Sequence, residues 1–106
     1  MGKLFGRKKA AKAELGKPRI KVTDKNAVYW QFSWIVEVKN SGGEPLNVGT
    51  LTIKFVDNKG FVLNEQLIEG FAAIAGRSKQ EFKGATMIDR SLAGRVKEAE
   101  VELRSI

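Results

Sequence analysis

The sequence predicts an all-β fold, a single antiparallel immunoglobulin-like β-sandwich of about seven strands with a flexible basic N-terminal arm. From Pro18 onward, apolar and polar residues alternate with a period of two, which is typical of strands buried on one face. Clusters of Gly, Asn, Asp and Pro separate these alternating segments. The length of 106 residues and the hydrophobic content of 42% are enough for one domain with its own core.

The clearest predicted strand covers residues 29–39 and begins with four aromatic side chains within six positions. Its large residues share one parity: Trp30, Phe32, Trp34, Val36 and Val38. A common parity places them on one face, so we expect core positions rather than a platform on which bases or sugars stack. Tyr29 lies on the opposite face and is the better candidate for an exposed contact. Its candidate neighbours are Arg19, Lys21 and Lys39.

The remaining strands follow from the same alternation. They are predicted over residues 19–23, 48–57, 61–68, 78–87 and 96–103. Asp57-Asn58-Lys59-Gly60 predicts a hairpin turn, because Gly stands where φ is positive. Residues 89–94 are expected to form a loop or a single helical turn, which Asp89 can cap. The predicted core consists of Trp30, Phe32, Trp34, Val36, Leu51, Ile53, Phe55, Phe82, Val101 and Leu103.

Positive charge is concentrated near the N-terminus. The chain carries 19 Lys and Arg against 12 Asp and Glu, and residues 1–17 hold six of the cations and one of the acids. We therefore divide the chain into a flexible basic arm (residues 1–17) and a sandwich domain (residues 18–106). The arm has too few large apolar side chains to offset the entropy lost on ordering. The cations expected to contact an anionic surface are Lys3, Arg7, Lys8, Lys9 and Lys12.

The residue types that most often perform catalysis or bind metals are missing. The chain has no histidine and no cysteine, which excludes imidazole and thiol nucleophile pairs and the usual zinc ligands. Residues 70–78 differ from a phosphate-binding loop, because five residues separate the glycines and Arg77 stands where Lys is required. The alternating Glu98, Glu100 and Glu102 indicate a charged strand edge rather than a metal site. We therefore expect no catalytic, cofactor or metal site.

Three runs of the sequence resemble one family of domains. VEVKNSGGEPL (residues 36–46) is similar to the turn V-x-V-x-N-x-S-x-x-P-L of bacterial immunoglobulin-like domains of the FxLYD type. LTIKFVD and the following KGFVL (residues 51–63) resemble the hairpin of that family, and GRSKQEF (residues 76–82) resembles its P-G-E-S-x-x-F. Plant water-stress and late-embryogenesis sandwiches show a weaker similarity. The resemblance implies an accessory or binding module, often at the bacterial cell envelope, without catalytic residues.

The expected function combines this fold with the charge. We expect a non-catalytic accessory or interaction module whose partner is a protein or an anionic membrane surface, reached through the basic arm. The alternative is a nucleic-acid-binding protein that uses the basic arm and the region of Tyr29. No small-molecule substrate is evident. As written, the sequence contains no signal peptide or membrane span, so we expect a cytoplasmic protein; an upstream anchor would instead place it at the envelope.

Overall fold

The computed structural model describes residues 12–69 and 73–105, which form an antiparallel β-sandwich of two sheets. The strands of this part are β1 (Ala13–Leu15), β2 (Arg19–Lys25), β3 (Tyr29–Asn40), β4 (Val48–Val56), β5 (Val62–Glu69), β6 (Ser78–Asp89) and β7 (Glu98–Ser105). One short helix, α1 (Arg90–Ala93), separates the last two strands. The predicted all-β sandwich of seven strands is confirmed. Within these ranges, no helix is long and apolar enough to cross a bilayer.

Strand β3 organises the first sheet. Strands β1 and β2 follow one another along one edge of β3, and β6 pairs with the other edge over its whole length. The second sheet has the order β5-β4-β7, so β4 is covered on both edges. The sheets face each other through the even-numbered residues of β3 and the odd-numbered residues of β4, as the alternation predicts.

The core lies between the sheets and contains most of the predicted set. The predicted residues that are buried are Phe32, Trp34, Val36, Leu51, Ile53, Phe55 and Phe82. Trp30, Val101 and Leu103 are only partly buried and pack against this cluster from its margin. Trp30 lies near the start of β3, where the Lys25 ammonium is 4.3 Å from its ring centre. The other two lie on the edge strand β7. The alternation of residues therefore identifies the inward face, but it does not separate the centre of the core from its margin.

A polar network crosses the core beside Trp34. The Trp34 indole N–H donates to Thr86 Oγ1 at 3.1 Å, and the Thr86 hydroxyl donates to Gln66 Oε1 at 3.2 Å. Gly84 lies opposite Trp34 on β6, and a Cβ atom at this position would overlap the indole ring. Close packing therefore requires glycine at position 84, and the network satisfies the polar atom of the buried indole.

Strand β1 lies inside the segment predicted to be a flexible arm. It pairs with the last residues of β3, with Leu15 opposite Val38, and the Gly16 N–H donates to the Glu37 carbonyl at 2.9 Å. For residues 13–16 the structure thus differs from the expected unpaired arm. The reason is that β2 covers only the first part of this edge of β3, and β1 supplies backbone partners for the rest.

The segment after β6 forms the predicted helical turn. Asp89 caps α1, because its Oδ1 accepts from the Ser91 N–H at 2.8 Å and from the Ser91 hydroxyl at 2.6 Å. After the turn, the Lys97 N–H donates to the Val56 carbonyl at 2.8 Å. This hydrogen bond joins the segment that follows α1 to the end of β4 and builds one end of the sandwich.

Candidate anion-binding sites

The sandwich has two chemically different ends. The first, which we call the closed end, is formed by residues 40–46 and 74–76 together with Lys12. The second, which we call the cleft end, is formed by the β4–β5 turn at residues 57–61 and by residues 94–97. The 12 residues of β3 run from the cleft end to the closed end.

Asn40 holds the closed end together and is fully buried. Its Nδ2 amide donates to the carbonyls of Glu44 at 2.7 Å and Ile74 at 3.0 Å. Its Oδ1 accepts from the N–H groups of Lys12 at 3.1 Å and Gly42 at 3.0 Å. One amide side chain therefore joins three segments of the chain, and its hydrogen-bonding groups are used within the fold.

Of the five cations predicted to contact an anionic surface, Lys12 lies within the described residues. Its backbone is hydrogen-bonded to Asn40 and Ser41, while the residue as a whole is exposed. The prediction for the other four cations falls outside the described residues; they are Lys3, Arg7, Lys8 and Lys9. The basic arm therefore joins the domain at the closed end.

The three cations predicted as neighbours of Tyr29 do not lie around it in the structure. Tyr29 is half-buried at the first position of β3, opposite Asp89. Lys39 lies near the other end of the same strand, and Arg19 and Lys21 pair with its middle. The three cations share a sheet with Tyr29 but are spread along it, because each residue of a strand advances about 3.3 Å.

A cleft of about 530 Å³ opens at the cleft end. Its lining consists of Asp57, Asn58, Lys59, Phe61, Gly94, Arg95, Val96 and Lys97. Phe61 is 66% exposed, whereas the other described aromatic side chains are buried or half-buried. The cleft thus combines an open aromatic ring with the positive charges of Lys59, Arg95 and Lys97.

Asp57 fixes the turn that carries Phe61. Its Oδ1 accepts from the N–H groups of Lys59 at 2.8 Å and Phe61 at 3.0 Å, and Gly60 has a φ of 85°, which favours glycine. The Arg95 guanidinium lies 3.8 Å from Asp57 Oδ2. Burial raises the pKa of Asp57, but the two N–H donors and Arg95 outweigh it and hold the pKa below its ordinary value. Asp57 is therefore ionised at neutral pH and stabilises the turn.

The outer face of the second sheet, next to the cleft, is acidic. Lys54 lies at its centre with Nζ 2.9 Å from Glu102 Oε2, and Glu65 and Glu100 flank it on the neighbouring strands. The hydrogen bond that Lys54 donates to Glu102 raises the pKa of Lys54 against the opposing effect of burial, and the other two carboxylates raise it further. Within the described ranges, no group of acidic residues is arranged to hold a metal ion.

The hairpin turn at residues 57–60 is predictable from the sequence, but the cleft is not. The approach of residues 94–97 to this turn is a tertiary contact, and no local pattern indicates it. One signal was available. The strand predicted over residues 61–68 begins with Phe61, directly after the turn glycine, whereas β5 begins at Val62. A large aromatic residue directly after a turn glycine is a candidate for an exposed contact.

Among protein-family models and curated protein sequences, none matches this chain significantly. The fold is similar to the crystal structure of a Bordetella pertussis protein provisionally designated ApaA, with a TM-score of 0.51 and 12% sequence identity. The similarity covers 94% of this chain and 93% of that protein. At this identity the likeness extends to the fold alone.

Proposed function

We propose that this protein is a non-catalytic binding module, related to the FxLYD type, that attaches to an anionic bilayer surface through its basic arm. The observation that carries the proposal is that residues 1–12 hold five cations and no acidic residue. Leu4 and Phe5 stand among these cations.

The charge pattern suits a bilayer that contains anionic lipids. Each cation near such a surface contributes about 1 kcal/mol, and two apolar side chains add a smaller contribution by entering the interface. The position of Lys12 is compatible with this arrangement, because its backbone is bonded to Asn40 at the closed end while the residue itself is exposed. The expected attachment is weak and reversible.

Co-sedimentation with phosphatidylserine vesicles tests the proposal. In the arm variant, Lys3, Arg7, Lys8 and Lys9 are replaced by Gln. The control variant removes the same charge from the domain surface by replacing Lys21, Lys39, Lys79 and Lys83 with Gln. We expect the arm variant to bind at least about tenfold more weakly than the unmodified protein, and the control variant to lose much less affinity.

Two outcomes would contradict this proposal. If both variants lose affinity equally, net charge rather than the arm determines binding. If the unmodified protein binds duplex DNA but does not sediment with the vesicles, the basic arm serves nucleic-acid binding instead.

A further inference from the structure

We propose that the cleft end binds a mononucleotide, with the base against Phe61 and the phosphates held by Lys59, Arg95 and Lys97. This site lies at the other end of the sandwich from Lys12 and takes a different kind of ligand. The inference is therefore independent of attachment to a bilayer.

The aromatic part of the site is exposed and held in place. Phe61 is 66% exposed, although exposure of a Phe side chain to water is unfavourable. Its backbone is fixed by two hydrogen bonds to Asp57, one from its N–H to the carboxylate and one to its carbonyl from the Asp57 N–H, each 3.0 Å long. A ring on a fixed backbone loses little entropy when a planar base stacks on it.

The charged part of the site favours phosphate. The lining of the cleft contains three cations, Lys59, Arg95 and Lys97, and one acid, Asp57. The Asp57 carboxylate accepts from two backbone N–H groups and lies 3.8 Å from Arg95, and the three cations still outnumber this one acid. The nearby Glu98 carboxylate is paired with Lys17. Lysine and arginine side chains around one opening are typical partners of phosphate oxygens.

The surroundings of the cleft favour a short anion over a polymer. Beyond the cleft, the outer face of the second sheet carries Glu65, Glu100 and Glu102 around Lys54. These carboxylates repel a polyanion that continues past the site, whereas a mononucleotide ends before it reaches them.

The test is an NMR titration of the ¹⁵N-labelled full chain with ADP in magnesium-free buffer. We expect saturable shifts of the amides of residues 58–61 and 95–97. Pyrophosphate, which lacks a base, and adenosine, which lacks phosphate, should each bind at least about tenfold more weakly than ADP, because each retains only one of the two interactions.

Two matched pairs of variants locate the contacts. Phe61→Ala should weaken ADP binding about tenfold, while Leu67→Ala, which removes another exposed apolar side chain, should leave it unchanged. Replacing Lys59 and Lys97 with Gln should weaken binding at least about tenfold, because two charged contacts are lost. The same change at Lys21 and Lys83 is the control for net charge. Arg95 is left intact because it also faces Asp57.

Three results would overturn the proposal. The first is an absence of shifts at residues 58–61 and 95–97 at millimolar ADP. The second is that Phe61→Ala leaves the affinity for ADP unchanged and that pyrophosphate binds as tightly as ADP. The third is a set of shifts confined to the basic arm. A melting curve for each variant separates loss of binding from loss of fold.

Discussion

The two ends of the sandwich use their polar side chains in opposite ways. At the closed end, the buried amide of Asn40 joins three segments and has both its donor and its acceptor groups bonded within the fold. At the cleft end, the carboxylate of Asp57 holds one turn, while Lys59, Lys97 and Phe61 face the open cleft. The polar side chain at the closed end therefore stabilises the fold, whereas charged and aromatic side chains at the cleft end remain open to a ligand.

This difference also has consequences for stability. Asn40 carries no ionisable group, so the hydrogen bonds it makes do not depend on pH. The cleft end and the adjoining helical turn depend on two carboxylates, Asp57 in the hairpin turn and Asp89 at the start of α1, whose pKa values both lie below the ordinary value. The two ends should therefore respond differently to mutation and to acid.

The largest expected effect is at the closed end. Asn40→Ala removes hydrogen bonds to three segments, including the buried one from the Gly42 N–H, so we expect a loss of about 3 kcal/mol in the free energy of unfolding. Asn58→Ala, an exposed position at the cleft end, is the matched control and should change it by less than about 0.5 kcal/mol. Urea denaturation of both variants measures the difference. Equal losses would show that Asn40 does not hold the closed end together.

The next largest expected effect is the change in stability when a glycine in the middle of the sandwich, rather than one at the cleft end, is replaced by alanine. Gly84→Ala places a methyl group against the Trp34 ring and should destabilise the protein by about 1–3 kcal/mol. At Gly94, with φ of −67°, an alanine Cβ would make only an ordinary 3.8 Å contact with Trp30. Gly94→Ala should therefore leave stability unchanged or raise it by up to about 1 kcal/mol. Thermal melting of both variants is the measurement, and a stable Gly84→Ala protein would contradict the close packing at Trp34.

The smallest expected effect is local and depends on pH. The hydroxyl and N–H of Ser91 lower the pKa of Asp89 against a weaker effect of burial, and at Asp57 the N–H donors and Arg95 outweigh burial. A carboxylate with a lowered pKa stabilises the folded state when the pH is above the ordinary carboxylate pKa of about 3.9. This contribution is lost as the pH falls through the pKa of the folded state. Below about pH 4, we expect the amides of Lys59, Phe61 and Ser91 to lose hydrogen-exchange protection before those at the closed end.

The acid response has a matched variant. Asp57→Asn keeps an oxygen that accepts from the N–H groups of Lys59 and Phe61 but removes the titration. It should weaken the pH dependence of protection at the hairpin turn without changing that at Ser91. Loss of protection at Gly42 and Leu46 at the same pH as at Phe61 would contradict the proposed difference between the ends.

The sequence predicts the fold better than the candidate sites for a physical reason. Alternation along β3 and β4 is a local pattern that identifies the buried face, and the turn at Gly60 and the cap at Asp89 are local as well. The sites depend on contacts between distant segments. The pairing of β1 with β3 and the approach of Arg95 to Asp57 leave no trace in the residues nearby.

The separation of the two ends is tested most directly by mapping two probes on one ¹⁵N-labelled sample of the full chain. The probes are micelles of short-chain phosphatidylserine and, separately, ADP. We predict that the micelles shift the amides of the basic arm up to Lys12 and leave residues 58–61 unchanged, while ADP shifts residues 58–61 and 95–97 and leaves the arm unchanged. Shifts from both probes at the same end of the sandwich would contradict the division of roles between the closed end and the cleft end.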